Sequence, residues 1–156
     1  MNTSKPAYNS VKSLALLAGV MLLPGCASGP SIYGVSDEGY LKPCPSSPNC
    51  VSSFEENSHG VRPFKLAVEP DQAIPAIADA LNSLPRVRIV AQDERYLRAE
   101  FTSAVFRFVD DLEFYARDTG TLGVRSASRV GYSDLGANRR RVENLRALLQ
   151  QKAIIR

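Results

Sequence analysis

The residues of this chain best suited to chemistry are gathered in one stretch, Phe106 to Arg141, reading FRFVDDLEFYARDTGTLGVRSASRVGYSDLGANRRR. Asp110, Asp111 and Glu113 come first, and Arg125 and Arg129 follow. Two carboxylates do acid–base work when their surroundings keep one protonated and the other ionised. Neighbours on a strand point to opposite faces, however, so Asp110 and Asp111 cannot share a substrate proton. The sharper reading is a polar site built from Asp110, Asp111, Glu113, Arg125, Ser126, Ser128 and Arg129. Tyr132, Ser133, Asp134, Asn138 and Arg139 would extend it. The plainer reading is cross-strand ion pairing on a solvated face, each pair contributing under about 1 kcal/mol.

Strand parity sharpens this. Phe106, Phe108, Leu112 and Phe114 share one face with Asp110, while Arg107, Asp111, Glu113 and Tyr115 share the other. A two-residue turn would place Arg125 and Arg129 on the apolar face, where an unpaired guanidinium is costly. A three-residue loop of Thr119, Gly120 and Thr121 avoids that. It predicts Asp111 facing Arg129 and Tyr115 facing Arg125, with Glu113 between. Asp110 then lies on the inner face near Ser126 and Ser128 and needs donors there. Beyond the hairpin, Ser133, Asp134 and Asn138 are residue types that cap helices, and Gly136 allows a tight turn. Arg139, Arg140 and Arg141 fall in the first turn of the following helix, which the macrodipole disfavours. They call for acidic partners, with Asp110, Asp111 and Glu113 the candidates within the fold.

Other chemistries lack their parts. The single histidine, His59, is too little for a relay or for a zinc site of about four ligands. No glycine-rich phosphate loop is present, and no cofactor or metal is expected. Lys5 and Lys12 account for the excess over a balance of 17 basic and 16 acidic residues, so net charge gives no case for nucleic acid.

The elements that position this stretch follow from periodicity. Val61 to Val68 is a strand that Pro63 demotes to an edge or a late start. Ile74, Ile77, Ala78, Leu81 and Leu84 mark one face of a helix whose start is Asp71 or Pro70, with Pro75 in its first turn and Pro85 as its stop. Val87 to Ala91 and Tyr96 to Val105 are strands. Phe106 to Arg117 and Leu122 to Val130 form the hairpin. A last helix from about Asn138 to Lys152 carries Val142, Leu145, Leu148 and Leu149 on one side. The expected class is α+β: β-α-β-β-β-β-α, an antiparallel curved sheet with two helices packed on one face. That order is similar to the half-repeat of the TATA-binding-protein fold, a likeness of topology that implies no DNA binding.

The N-terminus reads as an export signal. Leu14 to Leu23 is an apolar run of ten, short of the roughly 20 residues that span a bilayer, and it suits a secretory h-region. Residues 1–25 are the expected cleaved signal, 26–42 a lipidated cysteine and flexible tether, 43–60 a disulfide loop and 61–156 the domain. Leu23-Pro24-Gly25-Cys26 resembles the bacterial lipobox, which implies acylation of Cys26 and anchoring by several chains. Ala27 in place of Asp favours the outer membrane of a Gram-negative host, the domain facing the periplasm. With Cys26 assigned to lipid, Cys44 and Cys50 remain as an even pair in an oxidising compartment. Five residues lie between them, and Pro43, Pro45 and Pro48 bend the segment, so the ends can meet in the expected disulfide.

The words CPSSPNCVSS (Cys44 to Ser53), FRFVDDLEF (Phe106 to Phe114) and RSASRVGYSDLGANRRRVE (Arg125 to Glu143) resemble the bacterial family catalogued as domain of unknown function 1499. The likeness runs from about Leu41 to Leu149. It implies a shared fold and frequent envelope association, and it links Asp110, Asp111, Arg125, Ser126, Ser128, Arg129, Tyr132, Asp134, Asn138 and Arg139 as one constellation. The expected function is a non-enzymatic binding or structural module held at the membrane by its lipid, engaging an envelope protein or a small anionic ligand. The alternative is an envelope hydrolase using Asp110 or Asp111, with Arg129 or Arg139 binding an anion.

Overall fold

The computed structural model describes Met1 and residues 33–156. The leader and Cys26 lie outside the described residues. The elements are β1 (Cys50–Ser52), β2 (Phe64–Lys65), α1 (Pro70–Asn82), β3 (Val87–Gln92), β4 (Tyr96–Thr102), β5 (Val109–Ala116), β6 (Thr121–Ser128) and α2 (Ala137–Gln151). One antiparallel sheet runs β1-β6-β5-β4-β3, and β2 also pairs with β6. The class is α+β, with both helices on one face.

Alternation decides which face is covered. Leu97 and Ala99 of β4, Leu112 and Phe114 of β5, and Leu122 and Val124 of β6 point inward and are fully buried. They meet Ile74, Ile77 and Leu81 of α1 and Val142, Leu145 and Leu149 of α2 in one apolar cluster. Pro70 at the first helical position and Asp71 in the first turn suit the start of α1. Pro75 is the sixth residue of α1 and so lies inside the helix, just past the first turn where it was expected. After α2 the chain turns through Ala153 at φ +55° and runs back, so that Ile154 and Ile155 are buried beside β2.

Three expectations change. The strand expected from Phe106 begins at Val109. Ser103 accepts the Phe108 amide and donates its own to Phe108, closing a loop that leaves Phe106 and Phe108 exposed. The hairpin has a three-residue loop, but it is Asp118-Thr119-Gly120, because Arg117 pairs with Thr121. Gly120, at φ +73°, takes the last loop position, where the left-handed conformation belongs. The register therefore moves by two residues: Glu113 faces Arg125, Asp111 faces Ala127 and Tyr115 faces Gly123.

The third change concerns the outer face. It is not solvated, for Asp111, Glu113 and Arg125 are all buried. Residues read as tether and loop lie over it. Val35 bridges to Leu41, Leu41 is buried, and β1 joins the sheet at Ala127 to Arg125. Phe54 sits against Gly123, where a Cβ would come within 2.5 Å of its ring.

Candidate functional site

The charged residues of the hairpin fall into two groups, one on each face of the sheet. On the outer face Glu113 is the hub. One of its oxygens accepts the Tyr96 hydroxyl and the Gly34 amide, each at 2.7 Å; the other accepts Arg125 at 2.8 Å. Tyr96 ionises far above its usual range, from burial and from the neighbouring Glu113 charge. Arg125 is fully buried, and its Nε and second terminal nitrogen make no hydrogen bond among the described residues.

Beside this pair runs an alternating chain of charge. Arg98 reaches Asp111 at 3.0 Å, and Asp111 accepts a two-pronged grip from Arg129 at 2.7 and 2.9 Å. Arg129 also bonds Glu100, which pairs with Arg88 at 2.6 Å. Burial pushes the Asp111 carboxyl up, but the bonds from Arg129 and Tyr33 and the fields of Arg129 and Arg98 outweigh it and hold the carboxyl below its ordinary value. Glu100 is likewise lowered: burial opposes, and Arg129 and Arg88 prevail. Arg98 stacks 4.4 Å over the Tyr33 ring, so the N-terminal segment roofs this chain.

On the inner face, at the sheet end nearest the start of α2, Asp110 pairs with Arg141, which also reaches Ser126 and Asn138. Asn138 is fully buried. Its oxygen accepts Ser126, and its amide nitrogen lies within hydrogen-bonding distance of Asn49 O, Ser128 and Asp134. Asp134 accepts the Gly136 and Asn138 amides at 2.8 and 2.7 Å and so caps α2 from two residues ahead of its N-cap, Gly136. Burial raises the Asp134 carboxyl, the bonds from Asn138 and Gly136 lower it, and the result lies below the ordinary value.

Most of the expected constellation thus comes together, but as two braces divided by the sheet. Asp110 and Asp111 face opposite ways, and each is matched by arginine. Arg139 stands apart, donating to the Gly60 and Ser58 carbonyls at 2.8 Å. Tyr132 is 78% exposed and joins neither group. Cys44 and Cys50 form the disulfide. Sequence reasoning placed Arg141 among three arginines without choosing it, and left out Arg98, Glu100, Tyr96 and Asn49. The first three lie on β4, in register with β5, so their alternation was the available signal.

Among the described residues, a cleft of about 510 Å³ lies between the end of α1 and α2, lined on its apolar side by Leu84, Phe101, Leu145 and Leu148. Arg86, Arg140 and Arg141 stand around it. Arg141 lies 5.0 Å over the Phe101 ring with its charge already engaged by Asp110. Arg86, at φ +60°, is exposed and makes no ion pair among the described residues. Such a volume with apolar walls and few polar groups fits a small-molecule site. No group of three or more His, Cys, Asp or Glu side chains among the described residues could hold a metal.

Residues 40–149 match the family described as protein of unknown function (DUF1499). No curated protein matches the chain.

Proposed function

The chain belongs to the DUF1499 family, and from that premise we propose a lipid-anchored envelope module that binds a small amphipathic anion. The observation that carries this reading is the cleft beside α2: an apolar floor of Phe101, Leu145 and Leu148 under the guanidinium groups of Arg86 and Arg140. An acyl chain would lie on the floor, where burial of apolar area drives binding. A carboxylate or phosphate would meet the arginines, which suit planar or oxyanion partners. The two buried braces keep this geometry and take no part in binding, since their charges are already matched.

Anchoring through Cys26 supports the same role, because it would keep the cleft beside a membrane rich in such amphiphiles. Calorimetric titration with laurate tests the binding. Saturable binding at one site is expected, weakened at least tenfold in an Arg86→Glu, Arg140→Glu variant. Binding that never saturates, or that ignores the charge reversal, would overturn it. Mass spectrometry of the envelope-extracted protein checks the anchor: an unacylated Cys26 would remove that part of the reading.

A further inference from the structure

Two loops leave the sheet at the same end. Residues 103–108 join β4 to β5 and residues 129–136 join β6 to α2, with Asp110 opposite Ser128 just below them. Val105, Phe106, Phe108, Val130, Tyr132 and Leu135 are all exposed there, from 53% to 86%. These are large apolar groups of the kind folded chains bury, and their concentration at one end marks an interaction surface. Neither loop is loose. The 103–108 loop is closed by two Ser103–Phe108 hydrogen bonds, and the Phe106 and Phe108 rings stack 5.7 Å apart. Arg107 at φ +58° and Leu135 at φ +52° hold a conformation unfavourable to side chains.

Charge points to the occupant. Arg107 lies between Phe106 and Phe108 in the sequence, and Arg140, just past Leu135, donates to the Leu135 carbonyl; neither makes an ion pair among the described residues. Asp134, the one acid of the two loops, is turned inward as a cap. Aromatic and aliphatic groups ringed by arginine are the composition of a surface that settles into an anionic bilayer interface.

The course of the chain agrees. Tyr40 lies under Arg117 and Gly39 beside Tyr115, at the hairpin end of β5. Gly34 then reaches Glu113, and Tyr33 reaches Asp111 and Arg98, so the chain, read backwards, climbs toward the two loops. Cys26 is seven residues further back, a distance the chain can span to at most about 25 Å.

We propose that this end of the sheet is a membrane-docking face, with Phe106, Phe108, Tyr132 and Leu135 entering the headgroup region of an anionic bilayer and Arg107 meeting lipid phosphates. The face orients the domain, whereas the anchor only retains it. The proposal rests on the anchored reading for the direction of approach alone, and its test is separable from it.

The chain has no tryptophan, so Phe106→Trp supplies a single tryptophan that can be excited selectively. In the full protein on phosphatidylethanolamine–phosphatidylglycerol vesicles, its emission should shift to the blue and be quenched by brominated acyl chains. A second preparation, residues 27–156, lacks leader and anchor but holds every strand, both helices and the whole apolar cluster. It should co-sediment with the same vesicles and much less with phosphatidylcholine alone. Phe108→Ser with Leu135→Ser should lower that binding at least tenfold without changing the melting curve, both side chains being exposed. A water-like emission on vesicles, or sedimentation unaffected by the two serines, would overturn the docking face even where Cys26 proves acylated. A blue shift that grows with protein concentration in the absence of lipid would overturn it in favour of self-association.

Discussion

Glu113 and Arg125 face one another across β5 and β6 with both side chains wholly out of solvent. The two partners are not equivalent. Among the described residues the Glu113 carboxylate has three donors, Arg125, Tyr96 and Gly34, whereas the Arg125 guanidinium has one acceptor. Removing the carboxylate therefore strands a buried cation and two further donors. Removing the guanidinium leaves a carboxylate that is still hydrogen-bonded twice. Breaking a buried pair from one side costs about 3–5 kcal/mol, and Glu113→Ala should lie at the upper end. Arg125→Met, which keeps the apolar stem, should cost clearly less. Urea unfolding of the two variants decides it, and a larger loss in Arg125→Met would refute the ranking.

Stability should depend on acid through the outer-face chain and through the Asp134 cap of α2. Asp111, Glu100 and Asp134 all have carboxyls held below their ordinary values, 3.8 for Asp and 4.5 for Glu. The unfolded chain then binds more protons than the folded one, so stability rises with pH through this range. It should be full above about pH 5 and fall as pH drops through the unfolded values toward the lower folded ones. Asp111→Asn should lower stability at neutral pH and flatten the fall between pH 5 and 3. A fall as steep as in the parent chain would show that Asp111 is not the group responsible.

How much of this was legible in the sequence depends on how local the determining forces are. Ile74, Ile77, Ala78 and Leu81 repeat at helical spacing, and α1 follows directly. The parity of the hairpin was legible because a wrong parity would bury Arg125 unpaired. Its register was not, because one residue of loop placement separates Gly120 in the middle from Gly120 last, and both sit well with the apolar pattern. The covering of the outer face was hidden for another reason. Residues 33–55 carry no periodicity, and their place is set by single contacts far along the chain, such as Gly34 with Glu113 and Phe54 with Gly123. The cleft depends on how far the two helices stand apart, which no local pattern encodes.

The disulfide should be a modest contributor. It closes a sequence separation of six, which in the loop-entropy account stabilises by roughly 2 kcal/mol. Both ends are also held otherwise: Cys50 pairs with Ala127 in the sheet, and the Cys44 amide donates to Glu55 at 3.0 Å. Reduction, or Cys44→Ser with Cys50→Ser, should lower Tm by several degrees and leave far-ultraviolet dichroism intact. Complete unfolding on reduction, or no change in Tm, would show this accounting to be wrong.

The tightest approach on the outer face gives the most specific forecast. Gly123 lies under the Phe54 ring, which packs edge-to-face on Tyr40 at 5.2 Å, and Arg117 covers Tyr40 from the other side. A methyl group at 123 would push this stack away from the sheet, and the Ser36–Tyr40 turn with it. Gly123→Ala should cost about 1–3 kcal/mol as an overpacking change, although alanine alone is the better strand residue by roughly 0.5–1 kcal/mol. Hydrogen exchange should quicken at the Ser36 and Lys42 amides, which close that turn, and stay slow in β4 and β5. In a Phe54→Ala background the clash is gone, so the same substitution should become neutral or slightly stabilising. The double-mutant cycle therefore carries a coupling at least as large as the single loss. An equal cost in both backgrounds would mean that Phe54 does not rest on Gly123 in solution and that residues 33–42 are held over the charged face by other contacts.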